Sequence, residues 1–392
     1  MRGGWTVNVP FGDLKTHYST YKKEIDGAIA RTLASGHFIL GGELERFERD
    51  FEAFLGTPYA IGCASGTEAI YLALAACGVG QGDEVITVAH TAVPTISAIS
   101  MTGATPVFVD VDRTTYVMDP GEVERHITAK TKAIVPVHLY GQMVDLDQIK
   151  QLALKHKLYI IEDVAQATGA VYKGRSNAGT FGDFGAFSFY PSKNLGAFGD
   201  GGAVCTNSRE NFERLMMLRN YGQSKRYHHD IIGINSRLDE LQAAILSVQL
   251  PFVGQWNERR QQIASRYTTG LANKVVTPGV STHSSHVWHL YVIQVDNRDA
   301  LQEYLMECGI GTLIHYPIPA HLQKAYSYLG YKSGDLPVTE ALADRILSLP
   351  MFPGLTDEQV DYVIESVAEF HKTHEASDHR ALATATLETT HR

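Results

Sequence analysis

The spacing of apolar residues changes in a regular way along the first half of the chain. A four-residue apolar period over 17–35 and again over 44–54 predicts two amphipathic helices, which end at Gly36 and Gly56. From residue 59 onward, short apolar runs alternate with helical patterns near 66–77, 94–102, 119–127 and 145–157. The runs are Tyr59–Gly62, Glu84–Val88, Thr105–Val109, Lys132–Val137, Leu158–Ile161, Ala186–Phe189 and Ala203–Thr206. This alternation predicts an α/β domain with a mainly parallel sheet covered by helices on both faces.

The second half of the chain has a different pattern. Residues 209–268 read as mostly helical, and an apolar strand over 287–295 and a helix over 298–308 follow. Thr356 and Gln359 have the spacing of a helix N-terminal capping box. Because 392 residues exceed the size of a single core, we expect two domains. The predicted division is a large domain over 1–250, a smaller α+β domain over 251–375 and a disordered tail over 376–392.

Composition narrows the function classes. The 43 acidic and 34 basic residues give a net charge of −9, which argues against a nucleic-acid-binding protein. The four cysteines are far apart and have no metal-site spacing, so we expect no metal and a reducing cytoplasm. Residues 85–109 lack charged side chains but include Pro94 and Pro106, so they predict strand, loop, helix and strand rather than a membrane span.

Polar residues that directly follow apolar runs are the first candidates for a binding site. Parallel sheets bind ligands at the carboxyl ends of their strands. Ser65, Gly66 and Thr67 follow one such run and precede a predicted helix. Free N–H groups at a helix N-terminus bind anions, so this segment is either a phosphate site or a simple helix cap.

Asp163 and Gln166 follow another run. Adjacent strand residues face opposite sides, so Glu162 and Asp163 cannot both point into the same site. A carboxylate at a buried strand end needs a cation or hydrogen bonds. A protonated pyridine nitrogen would be such a partner, with Gln166 near the next ring substituent. The alternative is a carboxylate that accepts N–H groups of its own turn.

Lys193 is a third candidate. It follows an aromatic strand and precedes four glycines within residues 196–202. Lysine becomes a Schiff-base nucleophile when burial lowers its pKa, and glycines allow close approach of the backbone to a bound group. A solvated loop lysine is the alternative for this residue taken alone.

Together these segments resemble the DegT/DnrJ/StrS-type sugar aminotransferases, which use pyridoxal 5′-phosphate (PLP) and have the aspartate aminotransferase fold. The resemblance covers about residues 8–372. Its motifs are SGTEAI (65–70), GDEVIT (82–87), PVHLYGQ (136–142), IEDVAQATGA (161–170), FSFYPSKNLGAFGDGGAV (187–204), GINSRLDELQAA (233–244) and HYPIPAHLQ (315–323).

The resemblance implies roles for individual residues. Lys193 binds the cofactor covalently and carries protons, and Asp163 pairs with the pyridine nitrogen. Asn235 reaches the phosphate of a second subunit, which implies a homodimer with shared sites. Relatives often have an aromatic residue where this chain has Ala92, so His90 is the expected ring partner. The full cofactor-binding set is Gly66, Thr67, His90, Asp163, Gln166, Ser188, Lys193 and Asn235.

The resemblance also suggests the reaction. The glycine-rich segment after Lys193 is similar to enzymes that aminate C3 of nucleotide-linked sugars, so the expected substrates are a dTDP-linked 3-keto-6-deoxyhexose and L-glutamate. The alternatives are a 4-keto-sugar or cyclitol aminotransferase, a dehydratase, which Lys193 disfavours, and a non-catalytic regulatory homologue. Expected sugar-nucleotide contacts, if they are not solvated residues, are Lys225, Tyr227, His228, Tyr316 and His321.

Overall fold

The computed structural model describes residues 8–372, so the predicted tail over 376–392 lies outside the described residues. The α-helices are α1 (Leu14–Thr20), α2 (Lys22–Ser35), α3 (Gly42–Leu55), α4 (Gly66–Ala76), α5 (Val93–Met101), α6 (Pro120–Val123), α7 (Leu146–His156), α8 (Arg209–Leu218), α9 (Glu240–Gln249), α10 (Val253–Leu271), α11 (Arg298–Glu307), α12 (Pro337–Arg345) and α13 (357–372). Short 3-10 segments are Glu124–His126, Leu139–Gly141, Leu250–Phe252, Ala320–Leu322 and Lys324–Leu329.

The strands form one large sheet and three small ribbons. They are β1 (Tyr59–Cys63), β2 (Glu84–Val88), β3 (Thr105–Val109), β4 (Thr131–Ile134), β5 (Tyr159–Asp163), β6 (Val171–Tyr172), β7 (Ser176–Asn177), β8 (Phe184–Ser188), β9 (Gly202–Thr206), β10 (Gln223–Lys225), β11 (His228–His229), β12 (Tyr291–Gln294) and β13 (Ile346–Leu349).

The large sheet has seven strands in the order β1-β9-β8-β5-β4-β2-β3. Its strands are parallel except β9, which runs antiparallel to both of its neighbours. The predicted α/β class with a mainly parallel sheet is therefore confirmed. Because β1, β8 and β5 run in the same direction, their carboxyl ends and the polar residues that follow them meet at one edge of the sheet.

Both faces of the sheet are covered. Phe47 and Phe51 of α3 and Leu246 of α9 form a core with Phe187 on one side. On the other side, α4 and α5 bury apolar residues against the same strands. A separate core forms around β12, β13, α10, α11 and α13, and it also includes Val9. The predicted domain boundary at residue 250 stays a prediction.

Two features depart from the predicted elements. The helical pattern over 209–268 is interrupted by the β10–β11 hairpin and an irregular segment before α9. Tyr227 has a left-handed φ of 67° in that hairpin, and backbone bridging between Asn220 and Asn235 closes the irregular segment. The first predicted helix is likewise divided into α1 and α2. The predicted strand–loop–helix–strand order over 85–109 is confirmed by β2, α5 and β3.

The capping box before α13 is confirmed. Thr356 N–H donates to Gln359 Oε1 at 3.1 Å, and Gln359 N–H donates to Thr356 Oγ1 at 3.2 Å. Across residues 8–372, no helix is both long and apolar enough to cross a membrane, and no group of three potential metal ligands occurs. The four cysteines are free thiols.

One carboxylate joins two helices in the first core. Glu240, in the first turn of α9, is buried and accepts N–H groups from the N-terminus of α3. Its Oε1 accepts Gly41 N–H at 2.8 Å and Leu44 N–H at 3.1 Å, and its Oε2 accepts Glu43 N–H at 2.8 Å. The side chain of a distant helix thus satisfies donors that α3 cannot satisfy itself.

We expect Glu240→Gln to lower the free energy of unfolding by about 1–3 kcal/mol, because an amide provides one acceptor oxygen where the carboxylate provides two. Denaturant or thermal unfolding measures this change. Glu45→Gln, on the exposed side of α3, is the matched control and should change stability by less than about 0.5 kcal/mol. Equal effects of the two substitutions would contradict the capping role of Glu240.

Candidate active site

The end of β5 places two neighbouring carboxylates on opposite sides. Glu162 is fully buried and accepts hydrogen bonds from His138 Nε2 at 2.9 Å and from the N–H groups of Gly179, Phe181 and Gly182 at 2.8–2.9 Å. Val144 N–H donates to His138 Nδ1, so the proton of that ring is on Nε2. Glu162 is therefore a structural acceptor, and Asp163 faces the other way.

Asp163 lies in a buried, sparsely hydrogen-bonded environment. Its Oδ2 accepts the hydroxyl of Thr95 at 2.8 Å, and its Oδ1 accepts Ala165 N–H at 3.1 Å. Burial raises the pKa of Asp163 above its ordinary value, and these hydrogen bonds and the charge of Lys193 act in the opposite direction. The carboxylate thus caps its own turn, as one alternative from the sequence proposed, and also interacts with the predicted lysine.

Gln166 is fixed by two hydrogen bonds. Its Oε1 accepts Tyr140 N–H at 2.7 Å, and its Nε2 donates to the hydroxyl of Tyr316 at 3.2 Å. Burial raises the pKa of Tyr316 to about 12, so its hydroxyl stays protonated. The structure thereby joins two predicted site residues that are 150 positions apart in the chain.

His90 is buried at the end of the loop after β2. Its Nε2 is 3.0 Å from the hydroxyl of Tyr140, which itself donates to the carbonyl of His315. Burial lowers the pKa of His90 to about 4, so the ring is neutral at physiological pH. Tyr140 therefore fixes the orientation of the His90 ring through this hydrogen bond. The sequence analysis did not single out Tyr140.

The N-terminus of α4 is packed closely against the ends of β8 and β9. Ser65 caps the helix by accepting Glu68 N–H at 3.2 Å, while the N–H groups of Gly66 and Thr67 have no acceptor within the helix. A Cβ added at Gly66 would lie 2.6 Å from Ser188 Cβ, and one added at Gly202 would lie 2.5 Å from Ser65 C. Only glycine fits at both positions, so the backbone there can approach a bound group.

Lys193 follows β8 in a turn in which its N–H donates to Tyr190 O at 2.8 Å. Its half-buried side chain lines a cavity of about 1280 Å³, and its amine has no hydrogen-bond acceptor among residues 8–372. Burial lowers the pKa of Lys193 to about 8, and the charge of Asp163 partly opposes this effect. A lysine with these properties supplies a substantial fraction of free amine near neutral pH, as a nucleophile requires.

Six further cationic or potentially cationic side chains line the same cavity, and the sequence analysis did not single out any of them. They are Lys15, His17, Arg259, Arg260, His289 and His315. Burial lowers the pKa of His315 to about 4 and, together with the charges of Lys193, Arg260 and His315, holds that of His289 well below its usual range. The motif HYPIPAHLQ contained a signal for His315, whereas His289 lies in an apolar strand pattern.

Of the five predicted substrate contacts, Tyr316 is hydrogen-bonded to Gln166, and the other four lie elsewhere in this chain. Lys225, Tyr227 and His228 are on the exposed β10–β11 hairpin. His321 is buried, and its Nε2 is 3.1 Å from Glu340 Oε1. Neither these four residues nor Tyr316 line the Lys193 cavity. Their assignment as substrate contacts stays a prediction.

Asn235 is exposed and lines a second cavity, of about 490 Å³, together with Ala64 and Arg237. The neighbouring residue Ser236 is buried. Its hydroxyl accepts Ala64 N–H at 3.2 Å and donates to Glu68 at 2.6 Å. The segment is therefore attached to the α4 N-terminus of its own chain, and Asn235 lies at an exposed edge beside it.

These residues fit a pyridine cofactor that carries a phosphate. Lys193 provides an amine of suitable pKa, Asp163 provides a buried carboxylate for a ring cation, and the first turn of α4 provides unpaired N–H groups for an anion. The glycine positions 66 and 202 keep side chains out of that first turn. The three parts come from the converging ends of β1, β5 and β8.

Several known proteins are similar to this chain over most of its length. The model of the DegT/DnrJ/EryC1/StrS aminotransferase family matches residues 19–368. The dTDP-3-amino-3,6-dideoxy-alpha-D-galactopyranose transaminase of Aneurinibacillus thermoaerophilus is 48% identical over 363 residues, which cover 92% of this chain and 99% of that protein. A pleiotropic regulatory protein of Geobacillus stearothermophilus is 47% identical over 370 residues, 93% of this chain and 99% of the relative.

A solved structure is similarly close. The crystal structure of S. venezuelae DesV in complex with a ketimine intermediate superposes with a TM-score of 0.91, at 47% identity, and covers 93% of this chain and 98% of that one. Other similar solved structures contain the cofactor as PMP or PLP, and the family is PLP-dependent. The family match over most of the chain and the identity of its relatives show that this chain belongs to the DegT/DnrJ/EryC1/StrS aminotransferase family.

Proposed function

We propose that this protein transfers an amino group from L-glutamate to C3 of a dTDP-linked 3-keto-6-deoxyhexose, with PLP as its cofactor. The observation that carries the proposal is Lys193, whose amine is coupled to Asp163 on one side and opens into a large cavity on the other. Relatives that are named as dTDP-3-amino-sugar transaminases support C3 as the site of amination.

Each residue of the site has a distinct role in this reaction. When bound, PLP supplies an electron sink for the substrate carbon that loses its proton. Asp163 would hold the ring nitrogen in its protonated form, and Thr95 orients that carboxylate. Lys193, with a pKa of about 8, can take up and return a proton near neutral pH. Gly66, Thr67 and Ser188 would hold the phosphate.

An anionic amino donor is supported by Arg260. This arginine is buried on the wall of the Lys193 cavity, and no carboxylate of residues 8–372 forms an ion pair with it. Its Nη1 donates to the carbonyls of Trp288, His289 and Met351. Burial lowers its pKa to about 10, so it remains charged at neutral pH. A carboxylate of glutamate would compensate this buried charge.

A non-catalytic regulatory role is the second candidate, because one relative is named as a regulatory protein. The geometry around Lys193 favours catalysis. A chain without turnover has no need for a half-buried lysine of lowered pKa near a buried carboxylate. Amination of a 4-keto sugar or a cyclitol differs from the main proposal in substrate alone.

We further propose a homodimer in which Asn235 of one copy acts at the phosphate of the other. Asn235 lies beside the α4 N-terminus of its own chain, so a two-fold axis near this surface would bring it close to the partner's α4. Phe38, Ile39 and Ile232 expose apolar side chains, and Ile39 also lines the Asn235 cavity. Covering these side chains would favour association.

The four free thiols fit a reducing cytoplasm.

The substrate assignment can be measured directly. We expect a panel of keto-sugar nucleotides with L-glutamate to give an amino sugar from the dTDP-linked 3-keto-6-deoxyhexose, and little product from the 4-keto isomer or from keto-cyclitols. Mass spectrometry of the nucleotide product identifies the reaction, and Lys193→Ala is the inactive control. Preferred turnover of a 4-keto sugar would overturn the C3 assignment.

The titration of Lys193 provides a second test. The lysine should react with pyridoxal in cofactor-free protein, with a rate that rises through pH 8 as the amine loses its proton. Because the charge of Asp163 raises the pKa of this lysine, Asp163→Asn should move the midpoint to lower pH. Borohydride trapping and peptide mass spectrometry locate the label. Asp147→Asn, an exposed carboxylate paired with Lys173, is the matched control and should leave the midpoint unchanged.

The shared site can be tested by subunit exchange. Lys193→Ala and Asn235→Asp proteins should each be inactive, the second because a carboxylate repels the phosphate. In a mixed dimer with shared sites, one site combines an intact Lys193 with an intact Asn235, so part of the activity should return. If heterodimers form, as shown by differently tagged chains, and the mixture stays inactive, Asn235 serves its own chain instead.

A further inference from the structure

A chain of two asparagines fixes the orientation of His289 beside the lysine. Asn257 Nδ2 donates to Thr168 O at 3.1 Å, so Asn257 Oδ1 is available as an acceptor. Asn194 Nδ2 donates both to that Oδ1 at 2.7 Å and to Val287 O at 3.0 Å. With its amide nitrogen occupied by two acceptors, Asn194 must present its Oδ1 to His289 Nδ1, at 3.1 Å. The ring therefore carries its proton on Nδ1.

The other ring nitrogen of His289 then holds a lone pair. His289 is 6% exposed and lines the Lys193 cavity. Its Nε2 has no hydrogen-bond partner among residues 8–372, and this atom is accessible from the cavity. The charged or titratable groups that face this ring are Lys193, Arg260 and His315. Burial and these charges hold the pKa of His289 well below its usual range, so the imidazole is neutral at neutral pH.

A neutral lone pair selects among the groups of a nucleotide-linked sugar and of an amino donor. Carboxylates and phosphates are themselves acceptors, so they do not complement it. A hydroxyl donor does. Asn194, which directly follows Lys193, is the residue that orients the imidazole, so the ring is close to the place where the amino group is transferred.

We propose that His289 Nε2 accepts a hydrogen bond from a sugar hydroxyl on a carbon next to the one that receives the amino group. This inference rests on the proposed function and adds a specificity-determining residue to it. His289 selects keto sugars that keep a hydroxyl beside the carbonyl, and the chain from Thr168 through Asn257 and Asn194 is what holds the acceptor in place.

The test compares pairs of keto-sugar nucleotides that differ only in one hydroxyl beside the carbonyl, at C2 or at C4. For the native protein we expect one of the two deoxy compounds to have a kcat/KM about tenfold lower, the effect of one neutral hydrogen bond. For His289→Leu that difference should disappear, and both compounds should have the kcat/KM that the native protein has for the deoxy compound. His289→Gln, which offers an amide oxygen, should restore part of the difference.

His286→Leu is the matched control. His286 is also buried, three residues earlier, but it stacks on Trp288 and its Nδ1 accepts Trp288 N–H at 3.0 Å, away from the cavity lining. Its loss should lower stability and leave the hydroxyl preference unchanged. Isothermal titration calorimetry of the corresponding amino-sugar nucleotides, deoxy and hydroxylated, gives the same comparison without turnover when the protein carries the cofactor as PMP, which has no aldehyde to react with an amine.

Two outcomes would overturn the proposal. In the first, His289→Leu lowers kcat/KM for the hydroxylated and the deoxy compound by the same factor. In the second, His289→Leu weakens the binding of free dTDP, which carries no sugar, and the imidazole then contacts the nucleotide. A different result would refute the proposed function but not the His289 contact. If the native protein converts no keto sugar but its calorimetric affinities depend on the hydroxyl and on His289, the substrate contact stands and the reaction is wrong.

Discussion

The placement of two adjacent buried carboxylates at the end of β5 is the constraint on which the site depends. A buried carboxylate is costly unless it is paired or hydrogen-bonded. Glu162 meets this requirement fully, with His138 and three backbone N–H groups. Asp163 accepts two hydrogen bonds and keeps a raised pKa. The first carboxylate anchors the strand, and this leaves the second available for a ligand charge.

The same contrast between satisfied and unsatisfied groups extends to the surroundings of Lys193. His90, His289 and His315 are neutral at neutral pH, because burial lowers their pKa values. For His289 and His315 the charge of Lys193 acts in the same direction. Lys193 and Arg260 have lowered pKa values but no carboxylate in an ion pair with them among residues 8–372. The cavity, which Asp13 and Glu258 also line, therefore places these two cations beside neutral hydrogen-bonding groups. This arrangement suits a ligand with both anionic and hydroxyl groups.

The sequence predicted the sheet well, because strands and helices alternate over most of it. The candidate site residues follow directly after strands. Lys193, Asp163 and the first turn of α4 could be identified from these positions. The β10–β11 hairpin could not be predicted, because residues 223–229 lack the alternating apolar pattern of a strand, although Gly222 and Gly233 at its borders were a signal. Long-range partners such as Glu240 for α3 have no local signature at all.

His321 and His289 illustrate the same limit within the site. The motif around His321 suggested a ligand contact, yet the structure gives its Nε2 to Glu340, which also accepts N–H groups of Gly334 and Leu336. His289 had no motif, but its Nδ1 donates to Asn194, which Asn257 holds in turn, and this contact orients the ring at the cavity. Whether a histidine can contact a ligand is decided by which of its nitrogens the fold already occupies. That information resides in side chains 19 positions away for His321 and 95 positions away for His289, and it is obtained only from three-dimensional structure.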